Sequence, residues 1–90
     1  LYYEDTSFTM RPERKDELKD VLFVQKQLPD FGTEIVRVNR EDGCKVYFAD
    51  GSWVICRFSG TEPLLRMAAE GGTQAQADAY IQTWRRALGL

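Results

Sequence analysis

The 90-residue sequence contains no histidine and only two cysteines, Cys44 and Cys56. Without histidine, the chain lacks the side chain most often used as a general base and as a neutral metal ligand. Two cysteines separated by eleven residues are too few and too far apart for a zinc cluster. Histidine-based acid–base chemistry and a structural zinc site are therefore both disfavoured.

The sequence also lacks a long apolar run, a leader-like segment and a strong net charge. The net charge is −2 and the pI is about 5.1. No run approaches the roughly 20 apolar residues that a membrane-spanning helix needs. The slightly acidic balance gives no general attraction to nucleic acid or to anionic lipid, so an anion site would have to be local. We expect no membrane or nucleic-acid partner, and a cytoplasmic location in which the thiols stay reduced.

The composition is that of an ordinary globular domain, with 43% hydrophobic and 29% charged residues. A chain of this length can bury one hydrophobic core but not two, so residues 1–90 are expected to form a single domain. The sequence begins at Leu1 rather than at methionine. We therefore expect this domain to be a piece of a longer protein.

Hydrophobic periodicity predicts the element order β-α-β-β-β-β-α. Strands are predicted over residues 6–11, 33–38, 44–48, 52–58 and 64–70, and a first helix over 12–28, ended by Pro29. The second helix begins at a capping box of Thr73 with Gln76 and stops at Gly89. Its buried stripe is predicted to be Ala77, Tyr80, Ile81, Trp84 and Leu88. The fold class is α+β, a mainly antiparallel sheet of four to five strands with both helices on one face.

The dipeptide Asp50-Gly51 predicts a two-residue hairpin turn, which fixes a strand register. In that register Phe48 faces Trp53. Alternation along the strands then places four side chains beneath the helices: Val46, Phe48, Trp53 and Ile55. By the same parity, Cys44 and Cys56 point to opposite faces and should not form a disulfide.

The segment CRFSGTEPLLR, residues 56–66, concentrates groups that suit a phosphate. Arginine forks, hydroxyls and closely spaced backbone amides can meet a tetrahedral anion from several directions. These groups are Arg57, Ser59, Gly60, Thr61 and Arg66. Gly60 would allow close approach and a positive φ, and Glu62 should turn away, pairing with Arg66 or with another part of a longer protein. The same residue types also occur in a plain hairpin loop, so both interpretations stay open at this point.

Residues 42–71, DGCKVYFADGSWVICRFSGTEPLLRMAAEG, resemble the C-terminal part of the α-D-phosphohexomutases, the family of phosphoglucomutase, phosphomannomutase and phosphoglucosamine mutase. The segment Arg57–Pro63, with Arg66 after it, is similar to that family's phosphate-binding loop, and the hairpin Asp50–Trp53 matches as well. The resemblance covers the fourth and last domain. It implies a fold similar to that of the TATA-binding protein.

The resemblance also implies a function. Such enzymes interconvert sugar 1-phosphates and 6-phosphates through a bisphosphorylated intermediate, and are intramolecular phosphotransferases of the isomerase class. A phosphoserine in the first domain and Mg²⁺ in the second carry the chemistry, the third domain reads the sugar, and the fourth holds the phosphate that is not reacting. The implied partners are a hexose phosphate, a hexose bisphosphate and the three other domains.

Carried over by residue, the phosphate-contacting positions are Arg57, Ser59, Gly60 and Thr61, with Arg66 supporting or joining them. Nothing in the chain matches the phosphoserine loop, the Mg²⁺ loop or the sugar loop. The resemblance therefore implies no catalytic residue and no metal ligand here, and no activity for these residues alone.

Three alternatives remain at this stage. The chain could be specifically a phosphoglucosamine mutase domain. It could bind single-stranded nucleic acid through Tyr47 and Phe58, which the predicted register places on one face with Lys45. It could instead be a non-catalytic interaction module that docks through Tyr2, Tyr3 and Phe8.

Overall fold

The alternating strand segments and the two helical segments form one five-stranded antiparallel sheet in a computed structural model that describes residues 1–90. The elements are β1 (Tyr2–Thr9), α1 (Pro12–Lys19), β2 (Ile35–Asn39), β3 (Cys44–Phe48), β4 (Trp53–Phe58), β5 (Leu64–Gly71) and α2 (Gln74–Ala87). The strands lie in the order β1-β5-β4-β3-β2. The predicted α+β class and element order are confirmed.

Both helices pack on the same face of the sheet, as predicted, and enclose a single core of 16 buried residues. The sheet side of this core, which we call the core face, consists of Cys44, Val46, Phe48, Val54, Cys56, Leu65, Met67 and Ala69. Leu18 and Leu22 reach it from the first helical segment, and Tyr80, Ile81 and Trp84 from α2. The opposite side, the open face, carries no helix and remains accessible.

The hairpin between β3 and β4 has a different register from the predicted one. Val46 pairs with Val54, and Tyr47 pairs with Trp53. The loop has one residue more than a two-residue turn, because the Phe48 amide donates to the Ser52 carbonyl at 2.9 Å. A shift of one residue exchanges the two faces of a strand. The prediction that Trp53 and Ile55 lie in the core is therefore wrong: both lie on the open face, and Val54 and Cys56 replace them.

A polar network explains the longer loop. The Ser52 amide and hydroxyl both donate to one carboxylate oxygen of Asp50, and Gln76 of α2 donates to the other at 2.9 Å. Ser52 itself is buried on the core side, where its hydroxyl lies 2.8 Å from the hydroxyl of Tyr80. These hydrogen bonds lower the pKa of the Asp50 carboxyl. The Ser52 hydroxyl has the largest effect, followed by the Ser52 amide and the Gln76 side chain. The hairpin is thus attached to α2 through Asp50 and Ser52.

The new register also changes the relation between the two cysteines. Cys44 lies directly opposite Cys56 on the core face, so the prediction of opposite faces is wrong. Both thiols are free and buried. Burial raises the pKa of Cys56 well above its ordinary value, and the neighbouring Cys44 adds to the shift. Both residues pack as small hydrophobic side chains.

The helix limits were predicted with unequal success. The first helix does not continue to Pro29: after Lys19 it widens into one π-helical turn, Asp20–Val24, and Lys26 then adopts a positive φ of 54°. The second helix matches the prediction, since the Thr73 hydroxyl accepts the Gln76 amide at 3.0 Å and Gly89 has φ +71°. No helix is both long and apolar enough to cross a membrane.

Candidate anion-binding site

The β4–β5 loop, residues 59–63, leaves the sheet beside the start of α1. The Ser59 amide donates to the Leu64 carbonyl at 2.9 Å, and the Met10 amide donates to the Pro63 carbonyl at 3.0 Å. Within the loop, the Ser59 hydroxyl oxygen accepts the amides of Thr61 and Glu62 at 3.4 and 3.2 Å. These two bonds are near the upper limit of hydrogen-bond length. The Ser59 hydroxyl proton takes no part in these two bonds.

The two arginines of the predicted site lie side by side at the base of this loop. Arg57 on β4 and Arg66 on β5 are direct register partners, and both point to the open face. Together with the loop they line a hollow of about 290 Å³, formed by Arg57, Phe58, Ser59, Gly60 and Arg66. Four of the five predicted residues therefore meet around this loop hollow. The fifth, Thr61, is exposed on the loop and does not line it.

The charges around the loop hollow are not balanced within the chain. Like charges directly opposite each other on neighbouring strands are destabilising. Arg57 has one acidic partner, Asp42, with Nη2 and Oδ2 3.3 Å apart, and both side chains are largely exposed. Arg66 has no acidic partner, and the expected pairing of Glu62 with Arg66 does not occur. An anion between the two guanidinium groups would relieve their repulsion and accept hydrogen bonds from their free N–H groups.

Two glycines near the loop hollow, Gly60 and Gly43, differ in backbone conformation and surroundings. Gly60 does not have a positive φ, so that expectation is wrong, and a Cβ placed there would meet no atom of the chain. Gly43, just after Asp42, has φ +90°, and a Cβ there would lie 2.6 Å from the Cys56 carbonyl and 3.2 Å from Cγ of Arg57. Gly43 is therefore the glycine that lets the arginine stem lie closely against the β2–β3 turn.

Lys15 contacts the β4–β5 loop, which the sequence did not predict. Its Nζ reaches from α1 to the loop and donates to the carbonyl oxygens of Ser59 at 2.7 Å and Glu62 at 3.0 Å. The Glu62 side chain is exposed and does not line the loop hollow. No local sequence signal could identify Lys15, because it lies 44 positions before Ser59 in the chain.

The open face beside the loop hollow carries an aromatic and basic groove. Lys45 Nζ lies 4.3 Å from the centre of the Trp53 ring and 4.9 Å from that of Tyr47. The nucleic-acid alternative required Tyr47 and Phe58 to lie on the same face of the sheet, and that prediction is wrong. Phe58 lies on the core side of β4, where it packs against Phe23.

The family model described as the C-terminal domain of phosphoglucomutase/phosphomannomutase matches residues 10–87. The chain belongs to this family. The match includes all five residues predicted to hold phosphate and also Lys15, Asp42 and Gly43. The resemblance noted from the sequence is confirmed.

Individual relatives agree with this assignment. A probable phosphoglucosamine mutase of Methanothermobacter thermautotrophicus is 42% identical over 64 residues, which is 69% of this chain and 14% of the relative. A phosphoglucomutase/phosphomannomutase of Thermococcus kodakarensis is 39% identical over 46 residues, 51% of this chain and 10% of the relative. A phosphopentomutase of the same organism is 41% identical over 50 residues, 56% of this chain and 11% of the relative. The chain thus spans about a seventh or less of the proteins it matches.

Proposed function

We propose that this domain binds the phosphate of a sugar phosphate that is not being transferred, within a phosphohexomutase that interconverts sugar 1-phosphates and 6-phosphates through a bisphosphorylated intermediate. One observation carries the proposal: Arg57 and Arg66 are cross-strand neighbours at the rim of the loop hollow. The membership in the C-terminal domain family supports it independently.

Each residue of the proposed site has a distinct role. The forks of Arg57 and Arg66 would each meet one or two phosphate oxygens. The Ser59 hydroxyl oxygen accepts loop amides, which leaves its own proton free to be donated to the anion. The Gly60 amide has no acceptor within the chain, and Thr61 would add a hydroxyl from the exposed side of the loop.

This arrangement recognises a phosphate and little else, which suits an intermediate that has to bind in two opposite orientations. Binding a remote phosphate supplies energy that positions the reacting group elsewhere on the substrate. The chain would therefore contribute orientation, while transfer is performed by other domains. Residues 1–90 hold no group of three His, Cys, Asp or Glu side chains that could bind a metal ion. Following what the sequence resemblance implies, we place the phosphoserine and the Mg²⁺ in other domains of a longer protein, and we place that protein in the cytoplasm.

The sugar is a separate question from the phosphate. The relatives carry names for glucosamine, glucose or mannose, and pentose phosphates. A domain that reads only phosphate fits all of them, so we propose that another domain chooses the sugar. Our first candidate for the substrate of the whole enzyme is a hexose phosphate. The match to a probable phosphoglucosamine mutase makes glucosamine phosphate the second candidate.

The proposal can be tested in the full-length enzyme with sugar 1-phosphate and a bisphosphate activator. Arg57→Ala should lower kcat/KM roughly ten- to hundredfold, through the loss of a charge-assisted bidentate contact. Arg57→Lys should recover part of the loss, because lysine keeps the charge without the fork. Residues 1–90 alone should show only background turnover.

Arg86→Ala is a matched control, because it removes an exposed arginine from the last turn of α2, outside the loop hollow. It should leave kcat/KM unchanged. An Arg57→Ala enzyme with the efficiency of the unaltered one would refute the assigned phosphate site.

A further inference from the structure

Lys15 of α1 holds the β4–β5 loop through its backbone carbonyl groups. Its Nζ donates to the carbonyl oxygens of Ser59 and Glu62, the first and fourth residues of the loop, at 2.7 and 3.0 Å. It does not line the loop hollow. The lysine stem comes from α1 and is half-buried, so the ammonium group is attached to a helix that packs on the core.

The geometry of the peptide bond connects this contact to the ligand side of the loop. In a trans peptide the C=O and the following N–H point in opposite directions. Because the Ser59 carbonyl points toward Lys15, the Gly60 amide points away from it. That amide has no acceptor within the chain. Lys15 thus fixes the direction of a free N–H group that borders the loop hollow.

The charge of Lys15 contributes in a second way. The ammonium group neutralises the negative ends of two carbonyl dipoles beside a site that is proposed to receive a dianion. Without it, the Ser59 carbonyl could rotate toward the loop hollow and repel the phosphate. Interactions between groups in one network of this kind are coupled rather than additive.

From these contacts we infer that Lys15 is a positioning residue for the phosphate loop: it orients the Gly60 amide toward the anion without touching the anion. The inference rests on the proposed function of the loop. It assigns to α1, which contributes no predicted phosphate ligand, a role in the affinity of the site.

The test is a titration of the isotope-labelled 90-residue protein with inorganic phosphate, followed by amide resonances. Lys15→Met should raise the dissociation constant for phosphate about three- to tenfold. This is the effect expected from losing charge-assisted hydrogen bonds that act through the backbone. The phosphate-induced shift of the Gly60 amide should shrink relative to the shifts of its neighbours. Lys15→Arg, which can still donate to both carbonyls, should bind more tightly than Lys15→Met.

Lys26→Met is the matched control. Lys26 follows the first helical segment, is exposed and makes no hydrogen bond to the loop, so its loss removes the same charge without releasing the carbonyls. It should change the dissociation constant less than twofold. Thermal unfolding of each variant reports whether the fold is intact.

The outcomes separate the two claims. If the unaltered protein shows no phosphate-induced shift in the loop, the proposed function fails. If it does, but Lys15→Met binds phosphate as tightly with an unchanged Gly60 shift, only the inference about Lys15 fails. Unfolding of both Lys15 variants would show that the lysine supports the fold rather than the site, and would also overturn the inference.

Discussion

If phosphate binds Arg57 as proposed, Asp42 should compete with it, and removing the Asp42 charge should tighten phosphate binding. The ion pair between them spans 3.3 Å, with 58% of the arginine and 79% of the aspartate side chain exposed. Exposed pairs of this kind contribute about 0–1 kcal/mol. A phosphate that binds Arg57 has to break this ion pair or share the guanidinium group with Asp42. Asp42→Asn should therefore lower the dissociation constant for inorganic phosphate by about 1.5- to fivefold, the equivalent of about 0.2–1 kcal/mol.

The measurement is a phosphate titration of both proteins at low ionic strength, repeated in high salt. The gain should decrease in salt, because screening weakens interactions between exposed charges. Asp78→Asn makes the same change in net charge from α2, which packs on the core face, and should give no gain. Unchanged or weaker binding by Asp42→Asn would refute the competition. A gain that persists in Arg57→Ala would show that Asp42 does not act through Arg57.

Two further predictions concern stability. Gly43→Ala should lower the free energy of unfolding by about 1–3 kcal/mol because of its positive φ and the 2.6 Å approach to a carbonyl. Gly60→Ala, in open space, should leave that energy unchanged or raise it by up to about 1 kcal/mol; equal losses in urea unfolding would contradict this contrast. The pKa of Asp50 is lowered in the folded state, so its contribution is present above the unfolded pKa of about 4 and is lost as pH falls through the folded pKa. The stability difference between the unaltered protein and Asp50→Asn should hence be largest near neutral pH and shrink in acid, and a difference that does not change with pH would disprove the assignment.

Local signals were sufficient for some elements and not for others. The second helix was predicted correctly because its cap at Thr73, its apolar stripe and its terminal Gly89 are all encoded within one segment. The first helix was predicted too long, because its apolar periodicity continues to Leu28 although the backbone widens after Lys19. Pattern alone does not distinguish an α-helical from a π-helical turn.

The hairpin register failed for a tertiary reason. An Asp-Gly pair is compatible with loops of two or three residues. The choice is made by Ser52, which is drawn into a hydrogen-bond network with Tyr80, 28 residues away. A single-residue difference in loop length then exchanged Trp53 with Val54 between the faces of the sheet.

The residues of the candidate site divide in the same way. Arg57, Ser59 and Gly60 were identified because they are adjacent in a short segment, and Arg66 because the returning strand brings it back. Their supporting residues lie in other elements. No spacing rule could connect α1 or the β2–β3 turn to this loop, since those contacts exist only after the sheet and helices have packed.

The most direct test of the proposed phosphate site is the response of the unaltered 90-residue protein to inorganic phosphate. We predict that the amide resonances of residues 59–62 shift first and follow one binding curve, with weak affinity because a single domain offers one wall of the full site. Sulfate should produce the same pattern, and chloride should not. Shifts that begin instead in the aromatic groove around Lys45 and Trp53, or no saturable shift in the loop, would contradict the account.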